Sequence, residues 1–294
     1  MRLRFQKIPH VIRFYFYKKQ INNLFFDEMI VSNYDMRMYS VFAILSQYNL
    51  KLKLSRYEEG ILSYSMELLF TPIRRMIGYL RKLQGKAVIE DAFSNFYCFY
   101  PSLYHEYLHA EGIPLIKRES DLKAVLQNIF EIHENNLQYT QKYIFFTSVY
   151  DFEGGEPIGE YELACRIADL VGKENMLIKT HPRDKRTVYT DNGFNVDKNS
   201  AIPWEVIQLS RDFSDNVFLT VNSGSVLAGS FMSEKAIKTF YMYKLCNITK
   251  NTACQKNAAD IKALLDDKNM KDILAEVFIA DRIEDILDEK VKIL

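Results

Sequence analysis

The second half of the chain alternates short apolar runs with segments of helical spacing, and this alternation limits the fold most. Short runs that are apolar throughout are typical of buried strands, and intervening helices indicate a parallel sheet covered on both faces. We therefore expect an α/β fold. The expected strands are residues 143–146, 176–178, 217–221, 237–243 and 277–279, and the expected helices are residues 160–171, 204–209, 226–232, 258–265 and 283–287.

The first half of the chain is less regular but contains the same kinds of segment. Apolar and basic residues alternate over 50–54, as in a half-exposed strand, and a helix is expected after an N-cap at Ser120. The other expected elements are strands at 28–31 and 96–100 and helices at 36–48 and 68–83.

A polar stretch at residues 134–141 lies between the two halves, and we interpret it as a linker. It predicts two α/β domains, residues 1–138 and residues 139–294, with a cleft between them. In open parallel sheets, ligands bind outside the carboxyl ends of the strands. The functional residues are therefore expected directly after strands.

Composition limits the partners and the compartment. Lys+Arg and Asp+Glu both number 38, and a neutral chain argues against a dedicated nucleic-acid-binding protein. The four cysteines form no C-x-x-C pair, so we interpret them as reduced thiols in a cytoplasmic protein. No apolar run approaches the ~18 residues of a spanning helix. The basic, aromatic segment 11–19 is either a surface helix, which we favour, or a peripheral contact with the inner face of a membrane.

Glu58-Glu59-Gly60 follows an expected strand and offers a candidate base. Adjacent carboxylates repel each other, so one of them can keep a raised pKa and accept a proton near neutrality. Gly60 permits a tight turn and a close approach of substrate. Taken alone, the run is more typical of a solvated acidic turn.

His181-Pro182 follows another expected strand and suits a phosphate leaving group. An imidazole can donate a hydrogen bond or a proton as negative charge develops. Pro182 favours an extended conformation of His181. The alternative is a surface histidine before a proline turn.

Asn222-Ser223-Gly224-Ser225 leaves an expected strand and opens an expected helix. Free backbone N–H groups at such a place bind anions, Gly224 allows a close approach, and the two hydroxyls add donors. The alternative is an ordinary capped helix start.

The three runs in this order resemble the motifs of bacterial sialyltransferases, most closely glycosyltransferase family 52, the lipooligosaccharide and capsule sialyltransferases. That family carries an acidic-acidic-Gly motif, then a His-Pro motif, then a serine motif, with similar spacing. The stretches 96–101 and 179–183 also look similar to it, and the resemblance extends from about residue 27 to the end.

The resemblance implies a GT-B-like architecture of two Rossmann-like domains, with residues 1–138 on the acceptor side and residues 139–294 binding the nucleotide sugar. It implies an inverting, metal-independent transferase without a cofactor. The donor would be CMP-sialic acid, and the acceptor a galactose-type hydroxyl of a lipooligosaccharide or capsular polysaccharide. Because the family has a longer stretch before the acidic motif, we expect an incomplete N-terminal domain. A homodimer is also suggested.

Residue roles follow from the same resemblance. Glu59 would be the base or would orient the acceptor, and His181 would meet the CMP phosphate. A carboxylate before the His-Pro strand is an alternative base, with Glu160 the first candidate and Asp151 and Glu156 behind it. The choice between Glu59 and Glu160 stays open. The expected substrate-binding residues are Glu58, Gly60, Pro182, Asn222, Ser223, Gly224 and Ser225.

Three other interpretations remain at this stage. The chain could be an inactive, truncated relative that still binds a nucleotide, or a transferase of another sugar. The more remote one is a zinc hydrolase, because His105, Glu106 and His109 match the pattern H-E-x-x-H. Pro101, Gly112 and Pro114 limit any helix around that pattern, so we expect no metal site.

Overall fold

The computed structural model of this chain describes residues 25–32, 36–58, 72–98, 101, 111–114, 119–132, 137, 139–153, 155–199, 202–227 and 236–288. The chain divides into two compact units, Met1–Ile116 and Lys117–Leu294. Each unit contains helices and one sheet whose described neighbouring strands are all parallel. The expected α/β class is thereby confirmed, whereas a GT-B arrangement and the roles given to the two domains stay predictions.

The first unit contains a four-stranded sheet in the order β1-β2-β3-β4. One face of this sheet holds the core of the unit, where Phe42 of the first helix packs with Leu54 and Phe96. The elements are β1 (Glu28–Val31), α1 (Met36–Leu45), β2 (Lys53–Tyr57), α2 (Pro72–Leu83), α3 (Ile89–Ala92), β3 (Phe93–Cys98) and β4 (Glu111–Pro114).

The other face of the first sheet is polar. Successive side chains of a strand point to opposite faces, so Ser55 lies on the face opposite Leu54. The Ser55 hydroxyl donates a hydrogen bond to Oε1 of Glu28. Asn95 Nδ2 and the Tyr97 hydroxyl donate to the same oxygen at 3.2 and 3.5 Å. Among the described residues, the apolar core of the first sheet therefore lies on one face.

The second unit contains a six-stranded sheet in the order β10-β9-β8-β5-β6-β7. Counted from the first strand of the unit, this is the 3-2-1-4-5-6 order of Rossmann folds, and it reverses between β5 and β8. The helices and strands are α4 (Glu119–Ile129), β5 (Tyr143–Phe146), α5 (Glu160–Val171), β6 (Met176–Lys179), α6 (Val188–Asp191), β7 (Asn195–Val196), α7 (Trp204–Ser210), β8 (Val217–Thr220), β9 (Thr239–Tyr241), α8 (Thr252–Leu265) and β10 (Val277–Ile279). Short 3-10 helices occupy Lys173–Asn175, Gly224–Leu227, Tyr243–Leu245, Lys268–Met270 and Ile283–Leu287.

The central strands of the second sheet are buried along their whole length, as expected for a parallel sheet covered on both faces. Trp204 of α7 covers one face, and its ring centroid lies 4.7 Å from that of Phe146 and 5.6 Å from that of Phe218. At the border of the sheet, Lys179 and Asp197 form a buried ion pair of 3.0 Å. The buried core thus extends to the carboxyl ends of these strands.

Several sequence-based element bounds are confirmed and others shift. The strands 28–31, 143–146 and 277–279 and the helix 160–171 have the expected bounds. The strand expected at 50–54 lies at Lys53–Tyr57, because Leu50 and Lys51 belong to the turn before it. The helix expected at 226–232 begins instead as the 3-10 helix Gly224–Leu227, and residues 228–235 lie outside the described residues. The segment 11–19 also lies outside them.

A membrane-spanning helix has a characteristic length and composition. A spanning α-helix needs about 20 predominantly apolar residues. Among the described residues, no helix combines that length with sufficient apolar character.

Candidate active site at the carboxyl edge of the second sheet

Three loops leave adjacent strands at the carboxyl edge of the second sheet. The strands are β6, β5 and β8, with β5 in the middle, and the loops after β6 and β8 carry His181 and Ser223. Neighbouring strands lie about 4.8 Å apart, so these two loops leave the sheet about 10 Å from each other. Ligands of Rossmann folds bind where the strand order reverses, which is here between β5 and β8.

The His181 loop is a tight turn fixed to the neighbouring strand. The carbonyl oxygen of His181 accepts the N–H of Asp184 at 2.8 Å, which places Pro182 at the second position of a β-turn, where its fixed φ is favourable. The backbone N–H of His181 donates to the Thr147 hydroxyl at 2.9 Å. The position of the histidine therefore depends on the end of β5 as well as on its own strand.

The hydrogen bonding of the imidazole assigns its tautomer. The N–H of Arg183 donates to Nδ1 of His181 at 3.1 Å. Nδ1 is therefore an acceptor, and the neutral ring carries its proton on Nε2. Burial, and next the positive charge of Arg183, lower the pKa of His181, while Glu153 and Asp184 act in the opposite direction. At neutral pH, His181 is thus a neutral hydrogen-bond donor through Nε2.

Charged and aromatic contacts fasten the His181 loop to the loop after β5. Arg183 pairs with Glu153 at 2.6 Å, on the surface. The guanidinium of Arg186 lies 4.6 Å from the ring centroid of Phe152 and donates to both carboxylate oxygens of Asp184. Each exposed ion pair is weak, but several contacts together limit the movement of both loops.

The hydroxyl groups of Thr220 and Tyr241 hold the serine run in place. The Thr220 hydroxyl donates to the carbonyl oxygen of Phe146 at 3.0 Å and accepts the N–H of Ser223 at 2.9 Å. The Tyr241 hydroxyl donates to the carbonyl oxygen of Ser223 at 3.1 Å. The N–H of Ser223 therefore already has an acceptor within the loop. We expect the Ser223 hydroxyl, rather than this N–H, to bind an anion.

Asn222, the first residue of this run, turns its side chain into the protein. Its side chain is buried, and Nδ2 donates to the carbonyl oxygen of Cys254, in α8, at 2.9 Å. This contact joins the loop after β8 to a helix. We therefore regard Asn222 as support for Ser223 and Ser225, and its expected contact with substrate stays a prediction.

Glu160 is the first residue of α5 and is completely buried. Both of its carboxylate oxygens lie 2.9 Å from the backbone nitrogen of Ser148, which donates to them. Burial raises the pKa of Glu160 to about 8, although the hydrogen bond from Ser148 acts in the opposite direction. In this position the carboxyl group holds the loop after β5, next to Thr147.

Asp151 caps the same helix with its carboxylate. Oδ1 accepts the N–H groups of Ile158 and Gly159 at 2.9 and 3.2 Å, and Oδ2 accepts those of Glu160 and Tyr161 at 3.1 and 3.3 Å. Gly159 has a φ of 81°, a left-handed conformation that glycine adopts readily. Glu156, the other alternative base, is exposed and forms an ion pair with Lys250 at 3.3 Å. The proposed role of either residue as a base stays a prediction.

The acidic run is described only at its first residue. Glu58 follows β2 directly, as expected, and its N–H donates to the carbonyl oxygen of Tyr97 at 2.8 Å. Glu59 and Gly60 lie outside the described residues, as do His105, Glu106 and His109 of the zinc-protease pattern. Within the described part of the chain, no group of His, Cys, Asp or Glu side chains is arranged to hold a metal ion.

Sequence reasoning missed the residues that position the site. Thr147 and Thr220 place His181 and Ser223, and Ser148 binds Glu160. Each of these residues ends or directly follows an apolar strand run, and this position is the sequence signal that could have identified them. Their partners depend on which strands are neighbours, and the sequence does not state that order.

Strand order and site together define a class of protein. A parallel sheet of this order, with a histidine and hydroxyl groups at the edge where the order reverses, is the arrangement of Rossmann-like proteins that bind nucleotides. Residues 4–213 match the family model described as Alpha-2,8-polysialyltransferase (POLYST), and the chain belongs to this family. The protein is therefore a glycosyltransferase of the sialyltransferase class.

The match covers the acidic and His-Pro runs and ends before Asn222. The expectation of a bacterial sialyltransferase is confirmed at this level, and membership of family 52 stays a prediction. No curated protein matches the chain.

Proposed function

We propose that the protein transfers sialic acid from CMP-sialic acid to a glycan hydroxyl, with inversion and without a metal ion, in the cytoplasm. The observation that carries the proposal is the placement of His181 and the serine run on opposite sides of β5, at the edge where Rossmann folds bind nucleotides. Family membership supports sialic acid as the transferred sugar.

The proposed reaction assigns a role to each group at this edge. The acceptor oxygen forms a bond to the anomeric carbon of sialic acid, and the bond from that carbon to the phosphate oxygen of CMP breaks. The electron pair leaves with CMP, and the acceptor proton passes to a carboxylate. The Nε2 proton of His181 and the hydroxyls of Ser223 and Ser225 stabilise the phosphate as its charge develops, which is where fixed donors accelerate a reaction most.

We propose Glu59 as the base. A base must reach the proton that it removes. Glu160 is completely buried and accepts the N–H of Ser148, which supports a role in holding the loop rather than in taking the acceptor proton. Glu59 belongs to the run that begins directly after β2, at a strand end. Glu59→Gln should abolish transfer and preserve CMP binding, whereas the same result for Glu160→Gln alone would place the base in the second unit.

The acceptor has two candidate chemistries. The name of the matched family favours α2,8 transfer to a glycan that ends in sialic acid. The resemblance to family 52 favours a galactose-type hydroxyl of a lipooligosaccharide or capsular polysaccharide. We propose a glycan that ends in sialic acid as the first candidate acceptor, because the match to the polysialyltransferase family covers residues 4–213.

The test incubates the purified full chain with labelled CMP-sialic acid and two sets of acceptors, galactose-terminated and sialic acid-terminated oligosaccharides, with and without a chelator. We expect labelled product on the second set and no effect of the chelator. In parallel, CMP should raise the unfolding temperature, and UDP and GDP should not. Nucleotide binding without transfer to either set would identify an inactive relative, and protection by UDP or GDP alone would indicate another sugar.

A further inference from the structure

A buried ion pair lies at the carboxyl end of β6, directly before the His181 turn. Lys179 is the last residue of β6, and Asp197 follows β7, the neighbouring strand at the edge of the sheet. Their side chains are only 7% and 2% exposed, and Nζ lies 3.0 Å from Oδ2. A buried pair of charges often stabilises a protein no more than apolar side chains of the same size would. The pair therefore needs an explanation other than stability.

The segment before β5 is bound to the same pair. The Tyr139 hydroxyl donates to Oδ1 of Asp197 at 3.2 Å, and the backbone N–H of Asn199 donates to the same oxygen at 2.9 Å. Nζ of Lys179 also donates to the carbonyl oxygen of Asn199, at 3.5 Å. The ring of Tyr139 packs edge-on against Trp204, with centroids 5.7 Å apart. The ion pair is thus the centre of a polar network that joins β6, β7 and the segment before β5.

Two short routes lead from this network to His181. Along the chain, only Thr180 separates Lys179 from His181. Across the sheet, the carbonyl oxygen of Lys179 accepts the N–H of Thr147 at 3.0 Å, and the Thr147 hydroxyl accepts the N–H of His181 at 2.9 Å. A shift of the end of β6 would therefore move the histidine through both routes. The imidazole would move with its backbone, because Nδ1 accepts the N–H of Arg183 in the same turn.

We propose that Lys179 and Asp197 are positioning residues for His181. Their ion pair, fastened by Tyr139, fixes the end of β6 and thereby the place of the Nε2 donor at the proposed phosphate site. This role rests on the proposed function, in which that donor meets the phosphate of CMP. A donor that is fixed in advance stabilises developing charge better than one that must reorient during the reaction.

Two other roles of the pair fit the structure less well. If Lys179 bound the phosphate directly, its ammonium group would have to leave Asp197, and the carboxylate would stay buried without a partner. If the pair only stabilised the fold, two uncharged side chains of similar size could replace it without any effect on the reaction. The three roles predict different kinetics for one double variant.

The double variant is Lys179→Met with Asp197→Asn, which removes both charges, nearly keeps both side-chain volumes and retains Oδ1 as an acceptor. It leaves no buried charge unpaired, so the full chain should fold, and the unfolding temperature verifies this. We expect a kcat about tenfold below wild type and a KM for CMP-sialic acid within about twofold, because positioning acts mainly on the transition state. Lys244→Met with Asp281→Asn is the matched control, because this Lys–Asp pair of the same unit is exposed, and its kcat should stay at the wild-type value.

A second measurement does not depend on transfer. Burial, and next Arg183, lower the pKa of His181, while Glu153 and Asp184 raise it, so this pKa reports where the ring lies. NMR titration measures it, and the signals of the ring are identified by their loss in His181→Ala. The pKa of His181 should move toward its ordinary value in the double variant and stay unchanged in the control.

Three results would overturn the proposal. The first is a double variant with wild-type kcat and an unchanged pKa of His181, which would leave the pair a role in stability alone. The second is a loss of CMP affinity, measured by calorimetry, that exceeds the loss of kcat, which would place Lys179 at the phosphate. The third is a lower kcat with an unchanged pKa of His181, which would mean that the pair acts elsewhere. If the wild type transfers no sialic acid, the proposed function fails, and the pKa of His181 alone decides whether the pair positions this ring.

Discussion

The two sheets are both parallel, yet they differ in burial and in order. Every residue of β5, β6 and β8 in the second sheet is buried, whereas β1, β2 and β3 of the first sheet each contain half-buried or exposed positions. The second sheet is covered on both faces, and the first has an apolar core on one face and the Glu28 hydrogen bonds on the other. A parallel strand therefore needs to be apolar throughout only where both faces of its sheet are covered.

The order of the strands differs as well, and this difference bears on function. The second sheet reverses its order between β5 and β8, which separates the loops that follow these strands and leaves room for a ligand. The four described strands of the first sheet follow one another without a reversal. The phosphate site is accordingly expected in the second unit.

The largest expected effect concerns the buried carboxyl group of Glu160. Burial raises its pKa from 4.5 to about 8, so the folded state binds a proton more tightly than the unfolded state. Its contribution to stability is present below about pH 4.5 and is lost as the pH rises to about 8. Glu160→Gln, which resembles the protonated form, should remove this loss, on the order of 4 kcal/mol at alkaline pH.

Denaturant unfolding followed by the fluorescence of Trp204 measures this difference, because that ring is buried in the same unit. The variant and the wild type should be similarly stable near pH 4 and should diverge as the pH rises. If the difference in unfolding free energy between variant and wild type does not change between pH 4 and 9, the raised pKa of Glu160 is contradicted. The control is Glu162→Gln, because Glu162 is exposed and lies two residues after Glu160 in the same helix.

Loss of the imidazole is expected to have the next largest effect. His181→Ala removes the Nε2 donor from the proposed phosphate site and should lower kcat about 10²–10³-fold, or about 2.7–4 kcal/mol. Steady-state transfer from CMP-sialic acid measures the effect. Lys185→Ala is the control, because this exposed side chain lies in the same loop and donates to the carbonyl oxygen of Pro182. A wild-type rate in His181→Ala would remove the histidine from the mechanism.

A smaller effect is expected for the threonine that positions the histidine. Thr147→Val leaves the N–H of His181 without its acceptor, and an unsatisfied group of this kind costs about 1–3 kcal/mol. Part of that cost should appear as a roughly tenfold lower kcat, because the imidazole moves relative to the phosphate. Thr147→Ser keeps the hydroxyl and should restore the rate.

If Thr147 stabilised the fold without positioning His181, Thr147→Val would lower the unfolding temperature but not kcat. Thr187→Val is the matched control. Its hydroxyl donates to Asp191 on the surface, so both the rate and the stability should stay close to wild type.

The same contrast between sheets explains what could be predicted from the sequence. Buried strands such as Tyr143–Phe146 have unbroken apolar runs, so their positions and the His181 and Ser223 runs at their ends could be predicted. The hydrogen bonds of Thr147 and Thr220 could not, because they require the order of the strands. The amphipathic pattern of α2 was visible as well, but periodicity does not state which face points inward. The two-residue strand Asn195–Val196 is too short for any pattern.

The smallest expected effect tests the polar face of the first sheet. Glu28→Gln keeps the shape of the side chain but removes the charge from hydrogen bonds donated by Ser55, Asn95 and Tyr97, at a cost of about 1 kcal/mol. Hydrogen exchange should then become faster in peptides that contain Lys53–Tyr57 and stay unchanged in peptides that contain Val217–Thr220. Equal acceleration in both sheets would mean that the two units open together, so that the two sheets differ in packing but not in stability.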